Sequence, residues 1–185
     1  MNGKKTVIIF FLCCCSCSPR VPNKETRLYV YLAGSLKYFL LPSGDIENSL
    51  DMAQHISASW QGRDYFFNAW VKADEAGMEM TLLNELGVSM GELSYRDGHA
   101  SFSSQVFPNS LKPEYIIADF QLCFYNIPAL SLALKNCGLT IIGTENGRRI
   151  VQGKKLIIEI EKSRNAVRLV NHLRGYAYTL EGNFE

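Results

Sequence analysis

Four of the six cysteines stand between positions 13 and 17, in "FFLCCCSCSPR", and a run of thiols can bind metal, cross-link or react. Zinc sites need ligand pairs two to four residues apart, so that a turn presents two thiolates to one tetrahedral ion, with a second pair further on. Cys14 and Cys17 have that spacing. Cys13, Cys14 and Cys15 are contiguous, however, no histidine is near, and the later cysteines are Cys123 and Cys137. A redox C-x-x-C pair needs a βαβ setting that the flanking residues lack. A second pattern, "GVSMG" at Gly87–Gly91, matches the G-x-S-x-G nucleophile elbow, with Ser89 as nucleophile. The residues after it, "ELSYRDGHASF", alternate and turn like a hairpin, so the required helix is not expected. Asp97 or Asp119 with His172 would complete a triad in hydrolase order, but the parallel sheet that positions one is missing. His55, His99 and His172 have no metal-ligating residue at i+3 or i+4, and the carboxylate pairs Asp45/Glu47 and Asp74/Glu75 lie in polar turns. The chemistry-bearing residues therefore point to no catalytic group, no metal and no cofactor.

The cysteine run reads instead as the end of an export signal. Lys4 and Lys5 form a positive n-region, "VIIFFL" at 7–12 an apolar h-region, and the cysteine and serine residues the small-residue end. Extended to Cys15, the apolar run is about 14 Å of helix against a hydrocarbon core of about 30 Å, too short to span a membrane. A signal that ends at a cysteine preceded by small residues resembles the lipobox of bacterial lipoproteins. That resemblance implies diacylglycerol on the cysteine thiol and cleavage on its N-terminal side. Cys17, after Ser16, fits best; Cys15, with Leu12 three residues upstream, is the alternative. Residues 1–16 are then a signal peptide, 17–26 a lipidated tether, and 27–185 a single β-rich domain. Loss of Lys4 and Lys5 takes the formal charge from +1 to −1, so lipid rather than charge would hold the domain to a membrane, and two or more acyl chains suffice for that. The residues after Cys17 are "SPR", without the aspartate that retains some lipoproteins in the inner membrane, and the expected location is the outer membrane, facing the periplasm.

A hydrophobic content of 47% with near-zero net charge describes a globular protein and lacks the basic excess of a nucleic-acid binder. From Leu36 the pattern has mostly period two, with turn signals every eight to twelve residues, as in an antiparallel meander. Met52, Ile56, Ala58 and Trp60 share one strand face. Tyr65, Phe67, Ala69 and Val71 share another, with Phe66 and Trp70 behind them, so that strand should be covered on both sides. Asp97-Gly98 and Asn146-Gly147 are hairpin turns. Between two strand blocks the period changes: Pro113 opens a helix whose Ile116, Ile117, Phe120 and Phe124 form an apolar stripe. Pro128 opens a second helix, ended by Gly138. The expected fold is mainly β, an antiparallel unclosed barrel of about ten strands with two central plug helices. An apolar, repackable lining for a lipid chain is offered by Trp60, Phe67, Trp70, Met78, Met80, Leu82, Ile117 and Phe120. Which sheet face is concave, and so which tryptophan lines the cavity, is left open. Cys123 and Cys137 are either a disulfide across the helices or free thiols.

With the lipobox-like terminus, the segment "TLLNELGVSMGELSYRDGHASF" and the following "LKPEYIIADFQLCFYNIPALSLALKN", the chain resembles the LolA/LolB-like lipoprotein-localisation group. Within that group it looks like the branch of outer-membrane lipoproteins encoded near aryl-polyene and fatty-acid synthesis genes. The resemblance implies a half-barrel that wraps an apolar cavity, plug helices over its mouth, and a mouth loop here carrying Leu83, Leu86 and Val88. Asn84 and Glu85 make that loop polar at its tip, which favours lipid binding or a partner role over insertion of a lipoprotein into a bilayer. The expected function is non-enzymatic: a lipid-anchored protein that binds acyl chains or a lipidated client in lipid or lipoprotein trafficking. The alternatives are an adaptor that docks periplasmic proteins along a sheet edge, and a serine hydrolase using Ser89.

Overall fold

A computed structural model describes residues 27–107 and 112–184. The expected signal peptide, with Cys15, Cys17 and the expected tether, lies outside the described residues. Ten strands form one antiparallel sheet and two form a separate hairpin. The hairpin is β1 (Tyr29–Ala33) and β2 (Leu36–Phe39), a pairing ahead of the stretch where the period-two pattern becomes regular. A short 3-10 turn at Ser43–Asp45 leads into β3 (Leu50–Trp60), β4 (Arg63–Asp74), β5 (Gly77–Leu83), β6 (Ser89–Arg96) and β7 (His99–Ser103). Two helices follow, α1 (Pro113–Phe124) and α2 (Ile127–Asn136), and then β8 (Thr140–Thr144), β9 (Gly147–Gln152), β10 (Lys155–Lys162), β11 (Ala166–Asn171) and β12 (Tyr176–Glu181). The strand order is β7-β6-β5-β4-β3-β12-β11-β10-β9-β8, with β7 and β8 as unpaired edges. The fold is thus an unclosed antiparallel barrel with two helices. The last strand closes onto β3, joining the two meanders at the sheet's centre.

Register explains which residues face inward. Ile56 pairs with Phe67 and Leu180, Met52 with Val71, and Val71 with Met80, and the inward parity then runs through Leu93, Tyr95, Ile158, Ile160, Val167 and Leu169, all buried. Glu159 and Glu161 alternate outward as their pattern predicts, but a bulge between Leu156 and Ile158 buries Ile157 as well. Asp97 and Gly98 both take positive φ, 52° and 77°, the two-residue hairpin geometry that matches strand twist. The double-sided cover expected for β4 is not formed: Phe66 and Trp70, on its outer face, are exposed.

Pro113 begins α1 and Gly138, at φ +79°, follows the end of α2, as anticipated. Asn126 caps α2 by accepting from the Ala129 amide at 2.9 Å. The apolar stripe expected of α1 is instead a helix buried all round, from Ile117 to Phe124. It lies inside the sheet's curve with the β1–β2 hairpin on its other side, so no face is left for water. Among the described residues no helix is long and apolar enough to cross a membrane.

Candidate functional site

The β3–β4 hairpin is the longest in the sheet. β5 pairs only with Asn68–Asp74, so Arg63–Phe67 run past it with a free edge. The two-residue turn at its tip uses Gln61 at φ 50° and Gly62 at φ 73°. Its inner face carries Trp60, Tyr65, Ala58 and Phe67, and β12 sets Tyr176 beside Trp60 and Tyr178 beside Ala58. Exposure along this face is graded. Ile56 and Leu180 are buried, Phe67, Ala58 and Tyr178 half-buried, and Trp60 and Tyr65 are 50% and 41% exposed. An apolar, largely aromatic strip therefore leads from solvent to the underside of α1.

The rim at this end exposes apolar side chains as well, beside charged ones such as Glu85. Asn84 accepts from the Leu86 and Val88 amides through its side chain, while the Gly87 amide donates to its carbonyl. The loop closes on itself and leaves Leu86 87% exposed at the tip. The polar tip read from Asn84 and Glu85 is found in part: Glu85 is exposed, whereas Asn84 is consumed in organising the loop and Leu86 stands out beside Glu85. Val88 is exposed, and Leu83, on the outward side of β5, is half-buried. Phe66 and Leu173 extend the same end.

α1 runs from this open end to the opposite one, held by polar contacts on two sides. Toward the sheet, the Tyr176 hydroxyl donates to Asp119 Oδ2 at 2.7 Å while Asn171 donates to Tyr176 at 3.2 Å. One turn on, Cys123 Sγ lies 4.0 Å from the Tyr178 hydroxyl. Toward the hairpin, Gln121 accepts from the Tyr38 hydroxyl and the Leu41 amide and donates to the Leu41 carbonyl, at 3.1, 3.0 and 2.8 Å. Burial pushes the Asp119 carboxyl up to about 7 against the lowering effects of Tyr176 and Arg174. Burial likewise pushes the Cys123 thiol up to about 12, which leaves it inert. Both Cys123 and Cys137 are free thiols, Cys137 donating to the Leu134 carbonyl. At the far end the buried Arg148 donates to the Tyr125 carbonyl and to Glu47, which also meets Lys162 at 3.5 Å. A cleft of about 240 Å³ remains beside Phe124 and Phe184.

Of the residues proposed from sequence as a lining, Met78, Met80, Leu82, Ile117 and Phe120 are buried together in the continuous core, and Phe67 and Trp60 lie on the strip that leads to it. Trp70 does not join them. It stands on the convex face, 50% exposed, its Nε1 donating to Asp51 at 3.0 Å, because β4's concave parity belongs to Phe67, Ala69 and Val71. Ser89 opens β6 rather than a strand-to-helix turn. His172 stands 3.7 Å from Glu159 and Asp119 is bound by Tyr176, so each group of the imagined triad sits in a separate setting. Tyr65, Tyr176, Tyr178 and Gln121 went unread as site residues, and Asp119 was read only as a possible triad member. The last two carried a signal, being polar residues inside "YIIADFQLCFY", where only a hydrogen-bonded role is affordable.

The architecture and this end together define a class: half-barrels that hold a helix within the sheet's curve and open through an apolar rim. The chain matches the family described as "Protein of unknown function (DUF3261)" over residues 51–182 and belongs to that family. No curated protein matches it.

Proposed function

We propose that the protein binds the acyl chain of a lipid or lipidated client between α1 and the concave face of β3, β4 and β12, as a relative of the LolA/LolB-like group. The observation that carries this reading is the graded strip from Trp60 and Tyr65 through Phe67 and Tyr178 to the buried core. Exposed apolar surface contiguous with a core has a cost in water and is characteristic of ligand or membrane contact. The three polar ties of α1 to the hairpin would let the helix shift along β12 without loss of the fold. In this reading the lipidated cysteine, Cys17 or Cys15, anchors the domain on the periplasmic side of the outer membrane, and no bond is made or broken in the client. A second reading, docking of a partner protein, draws on the free edges of β7 and β8, the latter exposing Ile142. Uptake of a fluorescent fatty acid by the full chain, with native mass spectrometry of co-purified lipid, tests the first reading. Saturable uptake at micromolar probe is expected. No uptake and no co-purified lipid, with protein partners alone recovered by crosslinking, would favour the second.

A further inference from the structure

Beside the apolar strip lies a cleft of about 350 Å³ lined by Tyr29, Tyr31, Lys112, Pro113, Glu114 and Tyr115. The strip and the cleft are joined through the β11–β12 turn. Tyr176, the cross-strand neighbour of Trp60, lies two residues after Arg174. The Arg174 guanidinium stacks over the Tyr115 ring at 4.4 Å and donates to the Tyr115 hydroxyl and the Tyr31 carbonyl. On the far wall Lys37 Nζ stands 4.2 Å over the Tyr29 ring, which meets the Tyr31 ring edge-on at 5.5 Å. The Tyr29 hydroxyl is held below the usual tyrosine range by its bond with Tyr31, then by the charge of Lys37, with Lys112 adding to it. Lys37 and Lys112 thus act on the Tyr29 hydroxyl, and Arg174 on Tyr31 and Tyr115 of the same lining.

None of these three cations is held in an ion pair with a described residue, although the charge of Arg174 also acts on the buried Asp119 carboxyl. Among the described residues Lys37, Lys112 and Arg174 have no carboxylate within ion-pair distance, whereas Lys162, Arg148, Arg149, Arg168 and Arg96 each have one. The lining itself carries one cation and one carboxylate, Lys112 and Glu114, and Lys37 and Arg174 add positive charge through the tyrosine rings on which they stack. The positive end of α1 opens at the same place, uncapped by a side chain, and adds to the field without being needed for it. Cations over tyrosine rings, with hydroxyls and a guanidinium fork, suit an anionic oxygen cluster.

We propose that this cleft is the headgroup subsite for a phosphate-bearing amphiphile whose chain lies along Trp60 and Phe67. The inference rests on the acyl-binding reading and adds the polar half of the ligand. An anionic headgroup neutralises Lys37, Lys112 and Arg174 at the surface, and the chain leaves the cleft past Tyr176 toward the concave face. Neutral-headed lipids gain the chain contacts alone.

The test uses the full chain with Trp70→Phe, so that emission reports Trp60, titrated with dodecyl phosphate, dodecyl maltoside and inorganic phosphate, the amphiphiles below their micelle concentrations. Dodecyl phosphate is expected to bind about tenfold tighter than dodecyl maltoside at low salt, and Lys37→Met with Lys112→Met to reduce the preference to about twofold while leaving the maltoside affinity unchanged. Both lysines are exposed, so the fold does not depend on them. Equal binding of the two amphiphiles by the parent chain overturns the headgroup subsite and leaves acyl binding standing. Binding of neither overturns both. A preference that survives the double substitution places the anion elsewhere and refutes the cleft. Inorganic phosphate binding as tightly as dodecyl phosphate assigns the site to the free anion and refutes the lipid.

Discussion

Asp119 offers the sharpest test of how α1 is held. Its carboxyl is buried on the helix, accepts from Tyr176, and is pushed from 3.8 to about 7 by burial. The sign follows from linkage. A carboxyl whose folded value lies above its unfolded value gives stability that is fully present below about pH 4 and is lost as pH rises through about 7. A shift of about three units corresponds to about 4 kcal/mol at pH 8, an upper figure, because water entry and local movement relax a buried charge. Asp119→Asn keeps an oxygen to accept from Tyr176 and removes the ionisation. The variant is therefore expected to match the parent near pH 4 and to exceed it by about 2 to 4 kcal/mol at pH 8. Urea denaturation of both proteins at pH 4, 6 and 8 measures this, and the difference between them cancels the other titrating groups. A gap that does not change with pH, or an asparagine variant that is weaker at pH 8, would refute the argument and show that Asp119 is ionised and compensated in the fold.

Gln121→Ala leaves the Leu41 amide and the Tyr38 hydroxyl without their acceptor inside the core, and a loss of about 3 kcal/mol is expected from two such groups. Thermal unfolding should show it as a Tm lower by about 10 °C for a domain of this size. Trp60→Ala, at a half-exposed position on the strip, should weaken a fluorescent fatty acid by about tenfold, or about 1.4 kcal/mol, with little change in the urea midpoint. Trp70→Ala, on the convex face, should leave probe affinity at the parent value. Equal effects from the two tryptophans would break the assignment of the concave face.

The period-two alternation made the meander legible, and Pro113, Pro128 and Gly138 marked the helices, because those signals are local. The placement of the two tryptophans was not. Both faces of "YFFNAWV" are apolar, so the sequence contained no polar face to declare which one turns to solvent. Only pairing with Ile56 and Met80 decides that Phe67 and Val71 face inward and Trp70 outward. The "NELG" loop was legible only in part, Glu85 being exposed as read and Asn84 not. A residue type states what a side chain is, and only the fold shows that Asn84 spends its polarity on the loop's own backbone. The cation cleft was invisible because its residues come from β2, the start of α1 and the β11–β12 turn, and no spacing rule joins Lys37, Lys112 and Arg174.

The two polar residues of α1 are unequal, and the inequality bears on how a chain could enter. Gln121 makes three hydrogen bonds to the hairpin side, reinforced by Tyr95 donating to the Leu41 carbonyl at 2.8 Å. On the sheet side Asp119 accepts one bond, the Cys123–Tyr178 contact at 4.0 Å is weak, and Arg174 of the β11–β12 turn donates to the Tyr115 hydroxyl at the exposed start of α1. Opening the first seam strands a buried amide and the Tyr38 hydroxyl, whereas opening the second exposes tyrosine hydroxyls and a carboxyl that water can satisfy. In the proposed binding cycle α1 therefore stays with the β1–β2 hairpin and parts from β12, along the line where the aromatic strip already reaches the surface. Ionisation of Asp119 near neutral pH favours the same seam, since a carboxylate gains more from water there than from one tyrosine. In the proposed cycle the seam that parts is thus the one with fewer buried bonds to break.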